Sequence, residues 1–274
     1  MPADSERLHE LRRRAEAGDT EAQFLLGCAY HQSDNVARDY GQALHWFRLA
    51  AEQGHLYAQV AVGVMHEHGR GVPSSVHEAA SWYRRAAEQG FAPAQNNLAI
   101  LHETIDPDGI GADMIEAAKW YRQAAVQGLP AAQFRLGLVY DRGAGGITDH
   151  AEAASWYRRS AEQGHPRAQF ALGVLHENGR GVPCDHTAAA CWYRRSAEQG
   201  FAPAQYNLGL LYGLGNGVPR DFVEAYAWLT LAISDELPEA AKARADLSAH
   251  LTPEALHEGE RRALILRAQI VSKR

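Results

Sequence analysis

Histidine beside carboxylate is a combination that can bind a transition metal, and three of the His-Glu pairs in the chain recur in register. Their histidines are His66, His102 and His176, and they occupy equivalent positions of the repeat described below. Zinc binds a histidine nitrogen at roughly 2 Å, whereas equivalent positions of packed helices lie about 8–10 Å apart or more. One ion cannot bridge such a row, and His66 and His68 point in different directions on a helix. We therefore predict no metal site and no cofactor.

Other residue patterns that serve catalysis or ligand binding elsewhere are also interpreted as structural. The glycines of residues 69–73 would need a preceding strand and a lysine to bind phosphate, and neither is present. The aspartates of residues 106–113 do not fit the spacing of an EF-hand loop, so a surface loop is predicted. Sequences of the Gly-x-Ser-x-Gly, His-Glu-x-x-His and Walker types are absent. The sequence predicts no enzymatic activity.

These residues belong to one unit that is copied along the chain. The six tryptophans recur at intervals of 36 or 38 residues, and an Ala-Gln pair and a glycine recur at the same step. A period in this range indicates a repeat array. The tryptophans are Trp46, Trp82, Trp120, Trp156, Trp192 and Trp228, and the pairs begin at Ala22, Ala58, Ala94, Ala132, Ala168 and Ala204.

Each unit contains two amphipathic helices. Trp82, Tyr83 and Ala86 lie at helical spacing in the helix that we call the Trp helix, and Ala168 and Leu172 mark one face of the other, the Ala-Gln helix. A small residue recurs inside the Ala-Gln helix, where glycine costs about 1 kcal/mol. We expect the tryptophan ring to pack against the backbone there. The small residues are Gly27, Gly63, Ala99, Gly137, Gly173 and Gly209.

Helix ends are marked by capping residues and glycines. A capping residue stands three residues before a Glu or Gln at the start of five Trp helices, the spacing of a capping box with reciprocal hydrogen bonds. Asp185 faces Ala188, so its box is expected to be half made. Asn35 replaces the second turn glycine of the first unit and can adopt the left-handed conformation. The five capping residues are Asp39, Ser75, Asp113, Asp149 and Asp221.

Charge and cysteine usage narrow the classes of function. The net charge of −6 argues against a nucleic-acid partner, which requires a basic surface. No apolar leader and no stretch of membrane-spanning length occurs, and the three cysteines form no CxxC motif, so a cytoplasmic protein without membrane insertion is expected. Arginine pairs near the ends of three Trp helices are predicted to lie on a solvated face. The pairs begin at Arg84, Arg158 and Arg194.

The motifs Ala-Glu-Gln-Gly, Ala-Gln, Leu-Gly, Gly-x-Gly-Val and Trp-Tyr-Arg-Arg together resemble the Sel1-like repeat, a relative of the tetratricopeptide repeat. The resemblance implies an all-α, right-handed superhelical solenoid of six helix-turn-helix repeats over residues 19–235. Residues 1–18 and 236–274 are expected to form helical caps with polar outer faces. Members of the family are mostly adaptors for protein partners. One cysteine-rich branch is linked to β-lactam binding or hydrolysis, so a hydrolase of that type is the alternative, although its cysteine pairs are missing.

The side of the Ala-Gln helix that points away from its internal face is the candidate partner site. In tetratricopeptide relatives the corresponding positions line the concave surface, which here would be an apolar groove edged by acids. Such a groove suits a protein or peptide partner with apolar anchors and a basic segment. Packing of the apolar positions between adjacent units is the alternative. The site comprises Phe24, Val60, Asn96, Phe134, Phe170 and Tyr206, with the acids Glu67, Glu103, Asp141 and Glu177.

Overall fold

The computed structural model describes residues 2–32, 37–104, 113–144, 146, 148–234 and 237–273, with side chains from residue 7 onward. Within these ranges fifteen helices and no strand occur, which confirms the predicted all-α solenoid fold class. Over the same residues, no helix combines the length and apolar character that crossing a bilayer requires. The helices are α1 Pro2–Glu16, α2 Thr20–Gln32, α3 Tyr40–Glu52, α4 Leu56–His68, α5 Val76–Glu88, α6 Ala92–Glu103, α7 Met114–Val126, α8 Pro130–Arg142, α9 His150–Glu162, α10 Pro166–Asn178, α11 His186–Ala197, α12 Ala202–Leu214, α13 Phe222–Ala232, α14 Pro238–Ser248 and α15 Pro253–Ser272.

The chain divides into two compact units, residues 1–129 and 130–274. In the first unit, helices α1 to α6 each pack against the next helix along the chain, ending with the contact of α6 and α7. In the second, α8 to α13 do the same, and α14 and α15 both pack against α13. Odd-numbered helices from α3 to α13 are Trp helices, and even-numbered helices from α2 to α12 are Ala-Gln helices. Each Ala-Gln helix and the following Trp helix form one repeat.

The ring that packs against the small residue of the Ala-Gln helix is not tryptophan, and the expectation on this point is wrong. A methyl group built on Gly173 would lie 2.6 Å from Cε1 of Tyr193, and one on Gly27 would lie 2.5 Å from Cδ1 of Phe47. Both rings belong to the residue that follows the tryptophan. Consecutive helical residues point about 100° apart, and the tyrosine position is the one that faces the glycine.

The tryptophans instead flank this contact. Trp82, Trp156 and Trp228 are buried, and the other three indoles are half-buried. The indole of Trp156 donates to Oε1 of Glu152 at 2.9 Å, one turn earlier on the same helix. The repeat is therefore held by two adjacent aromatic positions with separate partners.

The capping residues bind as predicted with their side chains, but the reciprocal half of the capping box is not formed. Oδ1 of Asp149 accepts the amide of Glu152 at 2.9 Å, and the other five caps make the same bond. The backbone amide of Asp149 donates to the carbonyl of Tyr140 at 3.0 Å. Because that amide already has a partner on the preceding helix, it is not available to the glutamate. Asp185 and Ala188 thus form as complete a cap as the others.

Glutamine side chains join neighbouring repeats within each compact unit. The glutamine of the Ala-Gln pair is buried, and Nε2 of Gln169 donates to the carbonyl of Ala161 at 3.1 Å, at the end of the preceding Trp helix. Its Oε1 accepts from Nε2 of Gln199 at 2.8 Å. The same donor bond from the pair to the preceding Trp helix is made by Gln59, Gln95 and Gln205.

The glycine turns bring backbone against backbone. Gly71 has φ of +73°, and a methyl group there would meet Tyr40 and lie 3.0 Å from the amide nitrogen of Gly41. Gly181 and Gly217 approach the starts of α9 and α11 in the same way. The interpretation of this motif as a turn between helices is confirmed. The predictions for Asn35 and for residues 106–112 lie outside the described residues.

Candidate functional site

The predicted acids of the Ala-Gln helices are held by tyrosines of the following Trp helices. The hydroxyl of Tyr83 donates to Oε2 of Glu67 at 2.6 Å, and Tyr193 donates to Glu177 at the same distance. Tyr121 and Glu103 are joined at 2.5 Å. We call each of these an acid–tyrosine pair. Every one lies within one repeat, so the same bond fixes the position of an acid relative to its own Trp helix.

Asp141 departs from this pattern. Its side chain is one methylene shorter, and its Oδ1 binds Nδ1 of His150 at 3.0 Å and Nη2 of Arg180 at 3.2 Å. The hydroxyl of Tyr157 lies beside it without a hydrogen bond of ordinary geometry. The guanidinium of Arg180 therefore offsets the charge of this acid.

Tyr83 and Tyr193 remain neutral phenols in their acid–tyrosine pairs. Burial, and then the hydrogen bond to Glu67, raises the pKa of Tyr83 above its ordinary value, and the same causes raise the pKa of Tyr193. A neutral phenol donates one hydrogen bond and leaves the carboxylate negative. Glu67, Glu103, Asp141 and Glu177 are all half-buried, so each still presents surface to a partner.

The apolar members of the site are largely engaged with neighbouring helices. Phe134 and Asn96 are buried, and the other four predicted members are half-buried. Phe170 packs at 5.6 Å between ring centroids on Tyr193 and at 5.4 Å on Phe201, the first residue before α12. Phe134 stacks on His165 at 5.0 Å. Phe170 and Phe134 thus pack on aromatic residues of their own repeats.

Two clefts lie where the acid–tyrosine pair is replaced by other residues. In the first repeat His31 takes the place of the acid and Phe47 the place of the tyrosine, and both line a cleft of 230 Å³. In the last repeat Gly213 and Leu229 stand there, and both line a cleft of 250 Å³. No motif in the sequence marks either cleft, although the loss of the acid and the tyrosine at those repeats is visible once the pair is known.

His66, His102 and His176 are packing residues. His66 and His102 are buried, and Nε2 of His66 accepts from Nη2 of Arg48 at 3.2 Å. Within the described ranges no three side chains of histidine, cysteine, aspartate or glutamate come together as a metal site. The carbonyl of His66 accepts the amide of the cap Ser75 at 2.9 Å. These residues therefore serve the turn between helices through their backbone.

The arginine pairs are exposed for the most part, as expected, but they also pack on aromatic rings. The guanidinium of Arg85 lies 4.5 Å from the ring centroid of Trp82, and Arg159 lies 4.4 Å from Trp156. A cation over an indole contributes about 0.5–1 kcal/mol at an exposed site. The spacing of three residues between tryptophan and second arginine could have predicted this contact.

Cysteine chemistry has little support at this site. Cys28, Cys184 and Cys191 are free thiols. Burial raises the pKa of the Cys28 thiol, which lowers its thiolate fraction and its nucleophilicity.

Six repeats of two helices each, one after another along the chain, define an α-helical repeat protein. The family model of the Sel1 repeat matches six consecutive segments, residues 20–55, 56–91, 92–129, 130–165, 166–201 and 202–235. The chain therefore belongs to the Sel1 repeat family. No match is found among curated proteins.

Solved structures of the same family resemble the chain closely. The crystal structure of c5321, a protective antigen present in uropathogenic Escherichia coli strains that displays an SLR fold, is 33% identical with a TM-score of 0.91. The alignment covers 98% of this chain and 58% of that chain, so the present chain spans little more than half of that relative. A Sel1 repeat protein from Oxalobacter formigenes is 32% identical with a TM-score of 0.70, over 84% of this chain and 95% of that chain.

Proposed function

We propose that the chain is a non-enzymatic scaffold that binds a partner protein or peptide along the face of its Ala-Gln helices. Sel1 repeats are generally protein-interaction modules, and the resemblance predicts this face to be concave. The helical ends, residues 1–18 and 236–274, are proposed to cap the array. Three free cysteines support a reducing compartment such as the cytoplasm.

The observation that carries the proposal is the row of oriented acids. Glu67 and Glu103 stand at equivalent positions of neighbouring repeats, and each is fixed by a tyrosine hydroxyl. A carboxylate has about four acceptor sites, so the tyrosine bond leaves acceptor capacity for lysine or arginine of a partner. Because the acids are already positioned, a basic segment would bind them without ordering long side chains of the scaffold.

A matched pair of variants tests this role. Glu67→Gln with Glu103→Gln removes two charges but keeps acceptors for the tyrosines. Tyr83→Phe with Tyr121→Phe keeps the charges and removes the hydroxyls. A random peptide display library would be selected on the full chain, and the enriched peptides measured by isothermal titration calorimetry at two salt concentrations.

Enriched peptides are expected to contain lysine or arginine and to bind more weakly at high salt. The double glutamine variant is expected to bind about fivefold more weakly, since each exposed ion pair contributes roughly 0.5 kcal/mol, with most of the salt dependence lost. The double phenylalanine variant should bind within about twofold of the wild type. Equal affinity and salt dependence of the glutamine variant and the wild type would refute the proposal.

A further inference from the structure

The second unit contains an apolar cleft of 250 Å³ between α12, α13 and α14. Leu210 and Gly213 of α12, Phe222 and Leu229 of α13, and Ala243 and Leu247 of α14 line it. Leu214 at its mouth is 60% exposed and Phe222 is 39% exposed. Exposed apolar side chains gathered around a concave site are typical of binding sites rather than of an ordinary surface.

The cleft occupies the place of an acid–tyrosine pair. In the fifth repeat Glu177 and Tyr193 form this pair, and the side chain of Asn207 on α12 lies within hydrogen-bond reach of the tyrosine hydroxyl. Sixteen residues separate the acid from the tyrosine and fourteen separate the tyrosine from the asparagine. The same two spacings lead from Gly213 to Leu229 and on to Ala243 in the last repeat.

In the last repeat the carboxylate, the phenol and the amide are thus replaced by the smaller, apolar Gly213, Leu229 and Ala243. The helices keep their arrangement at this position. Leu229 still contacts Gly209, as Tyr193 contacts Gly173, so the Trp helix packs at its usual depth. The space that a carboxylate, a phenol ring and an amide fill in the fifth repeat is left open. Alanine at position 243 adds no side chain that could close it.

The volume and walls of the cleft fit one large side chain. An apolar protein cavity of roughly 150 Å³ binds benzene, so 250 Å³ accommodates an aromatic ring or a leucine with its own backbone at the mouth. It is smaller than the roughly 300–1,000 Å³ of pockets for drug-sized ligands. An anchor side chain of a peptide is therefore a better match than a free cofactor.

The charges at the mouth indicate what flanks that anchor. Asp246 is exposed on the edge of the cleft and forms no ion pair within the part of the chain that the structure describes. His250 lies on the same edge, and Arg220 directs its guanidinium at the carbonyl of Leu214, 3.4 Å away. Among the residues that line the cleft, Asp246 carries a negative charge at the mouth, and this charge favours a cation.

We propose that this cleft receives a bulky apolar side chain of a partner peptide, phenylalanine or leucine, with a lysine or arginine nearby that pairs with Asp246. This inference rests on the proposed scaffold function and names the partner chemistry at one end of the array. It uses none of the acids of the acid–tyrosine pairs, so the two proposals can fail separately.

The test uses the full chain and a defined probe. The probe is an acetylated and amidated heptapeptide of glycine and serine with 4-fluorophenylalanine at its third position and arginine at its fifth. A second peptide carries glutamate in place of the arginine. Binding is followed by the ¹⁹F NMR shift of the peptide as the protein concentration is raised.

The main variant combines Gly213→Glu with Leu229→Tyr, which installs the pair that the fifth repeat carries. A methyl group on Gly213 would lie 3.8 Å from Cβ of Ala225, an ordinary contact, so the variant is expected to fold. Ala243→Met fills the same cleft from α14 and serves as an independent variant. Leu264→Ser, at a position 65% exposed on α15, is the matched control for loss of surface apolarity.

The wild type is expected to give a saturable shift with the arginine peptide, at least threefold tighter than with the glutamate peptide. Both filled variants should bind at least tenfold more weakly, Asp246→Asn about threefold more weakly, and Leu264→Ser as the wild type does. Glu177 does not line this cleft, so weaker binding of the probe to a Glu177→Gln variant would show that the probe binds at the row of acids and would count against the inference. Wild-type affinity in both filled variants, or equal affinity for the two peptides, would overturn the inference.

Discussion

The hydroxyl of Tyr83 donates to Oε2 of Glu67 at 2.6 Å, while the ring of the same tyrosine packs against Gly63 one turn before that acid. One side chain thus links two positions of the Ala-Gln helix, a polar one near its end and a bare one in its middle. Phenylalanine can pack against the glycine, as Phe47 does in the first repeat, but it cannot donate a hydrogen bond to the acid. The acid and the tyrosine are therefore expected to be coupled energetically.

A double-mutant cycle measures this coupling. Tyr83→Phe should lower the free energy of unfolding by about 1 kcal/mol, because Glu67 is half-buried and water replaces part of the lost bond. In a Glu67→Gln background the same change should cost less, with a coupling of about 0.5 kcal/mol or more. Urea denaturation followed by circular dichroism gives the four values. Tyr57→Phe, at a side chain 60% exposed, is the control and should leave stability unchanged.

Two glycines of Ala-Gln helices should respond oppositely to alanine. Gly63→Ala would place a methyl group 2.6 Å from Cδ1 of Tyr83, so the ring must move, at a cost of about 1–3 kcal/mol. Gly213→Ala meets only Ala225 at 3.8 Å and should stabilise by up to about 0.5 kcal/mol through helix propensity. Thermal unfolding of both variants decides the matter. A similar effect of the two substitutions would mean that the aromatic contact does not control this position.

The sequence predicts the helices and their ends because these depend on local patterns. Apolar spacing, Asp149 as a cap and the turn glycines act within a few residues, and each is found where it was expected. The partner of Gly63 could not be predicted, because Trp82 and Tyr83 are adjacent aromatic residues and only the rotation of the helix distinguishes them. The capping-box glutamates fail for a similar reason, since the competing carbonyl lies on another helix.

The candidate site is less accessible from sequence than the fold. The acids in register are visible as a row, yet the tyrosines that hold them lie sixteen or eighteen residues away on another helix. The cleft at Gly213 forms because the last repeat lacks an acid–tyrosine pair, and a motif search does not detect a missing pair. Packing of Phe170 on Tyr193 likewise follows from how the two helices of a repeat meet, and the periodicity of one helix does not contain it.

The buried glutamines should be more important for stability than their exposed partners. Gln169→Leu would remove two hydrogen bonds of a buried side chain, the one to the carbonyl of Ala161 and the one from Nε2 of Gln199, so a loss of about 1–3 kcal/mol is expected. Gln199→Leu, at an exposed position, should cost about 1 kcal/mol or less, because water reaches its neighbours. Hydrogen exchange of the α9 and α10 amides would locate the effect. Equal losses for the two variants would show that burial does not set the cost.

Acid is expected to destabilise the chain through the cap of α10. Nδ1 of His165 accepts the amide of Ala168 at 3.2 Å, which requires an unprotonated Nδ1. Burial, followed by the charges of Arg167 and Arg135, lowers the pKa of His165 below the ordinary value of about 6.5. Between these two pKa values the unfolded chain binds more protons than the folded one. Stability is therefore fully present above about pH 6.5 and falls as the pH drops through this window.

His165→Asn isolates this contribution, since asparagine is also a good cap and does not titrate. The variant and the wild type should have similar urea midpoints at pH 8, and the wild type should lose more stability than the variant between pH 6.5 and pH 5. His31 and His66 also have lowered pKa values from burial, so some acid sensitivity remains in both proteins. His257→Asn, at an exposed position of α15, should follow the wild type throughout. Parallel pH profiles of the wild type and His165→Asn would show that the cap does not depend on a neutral imidazole.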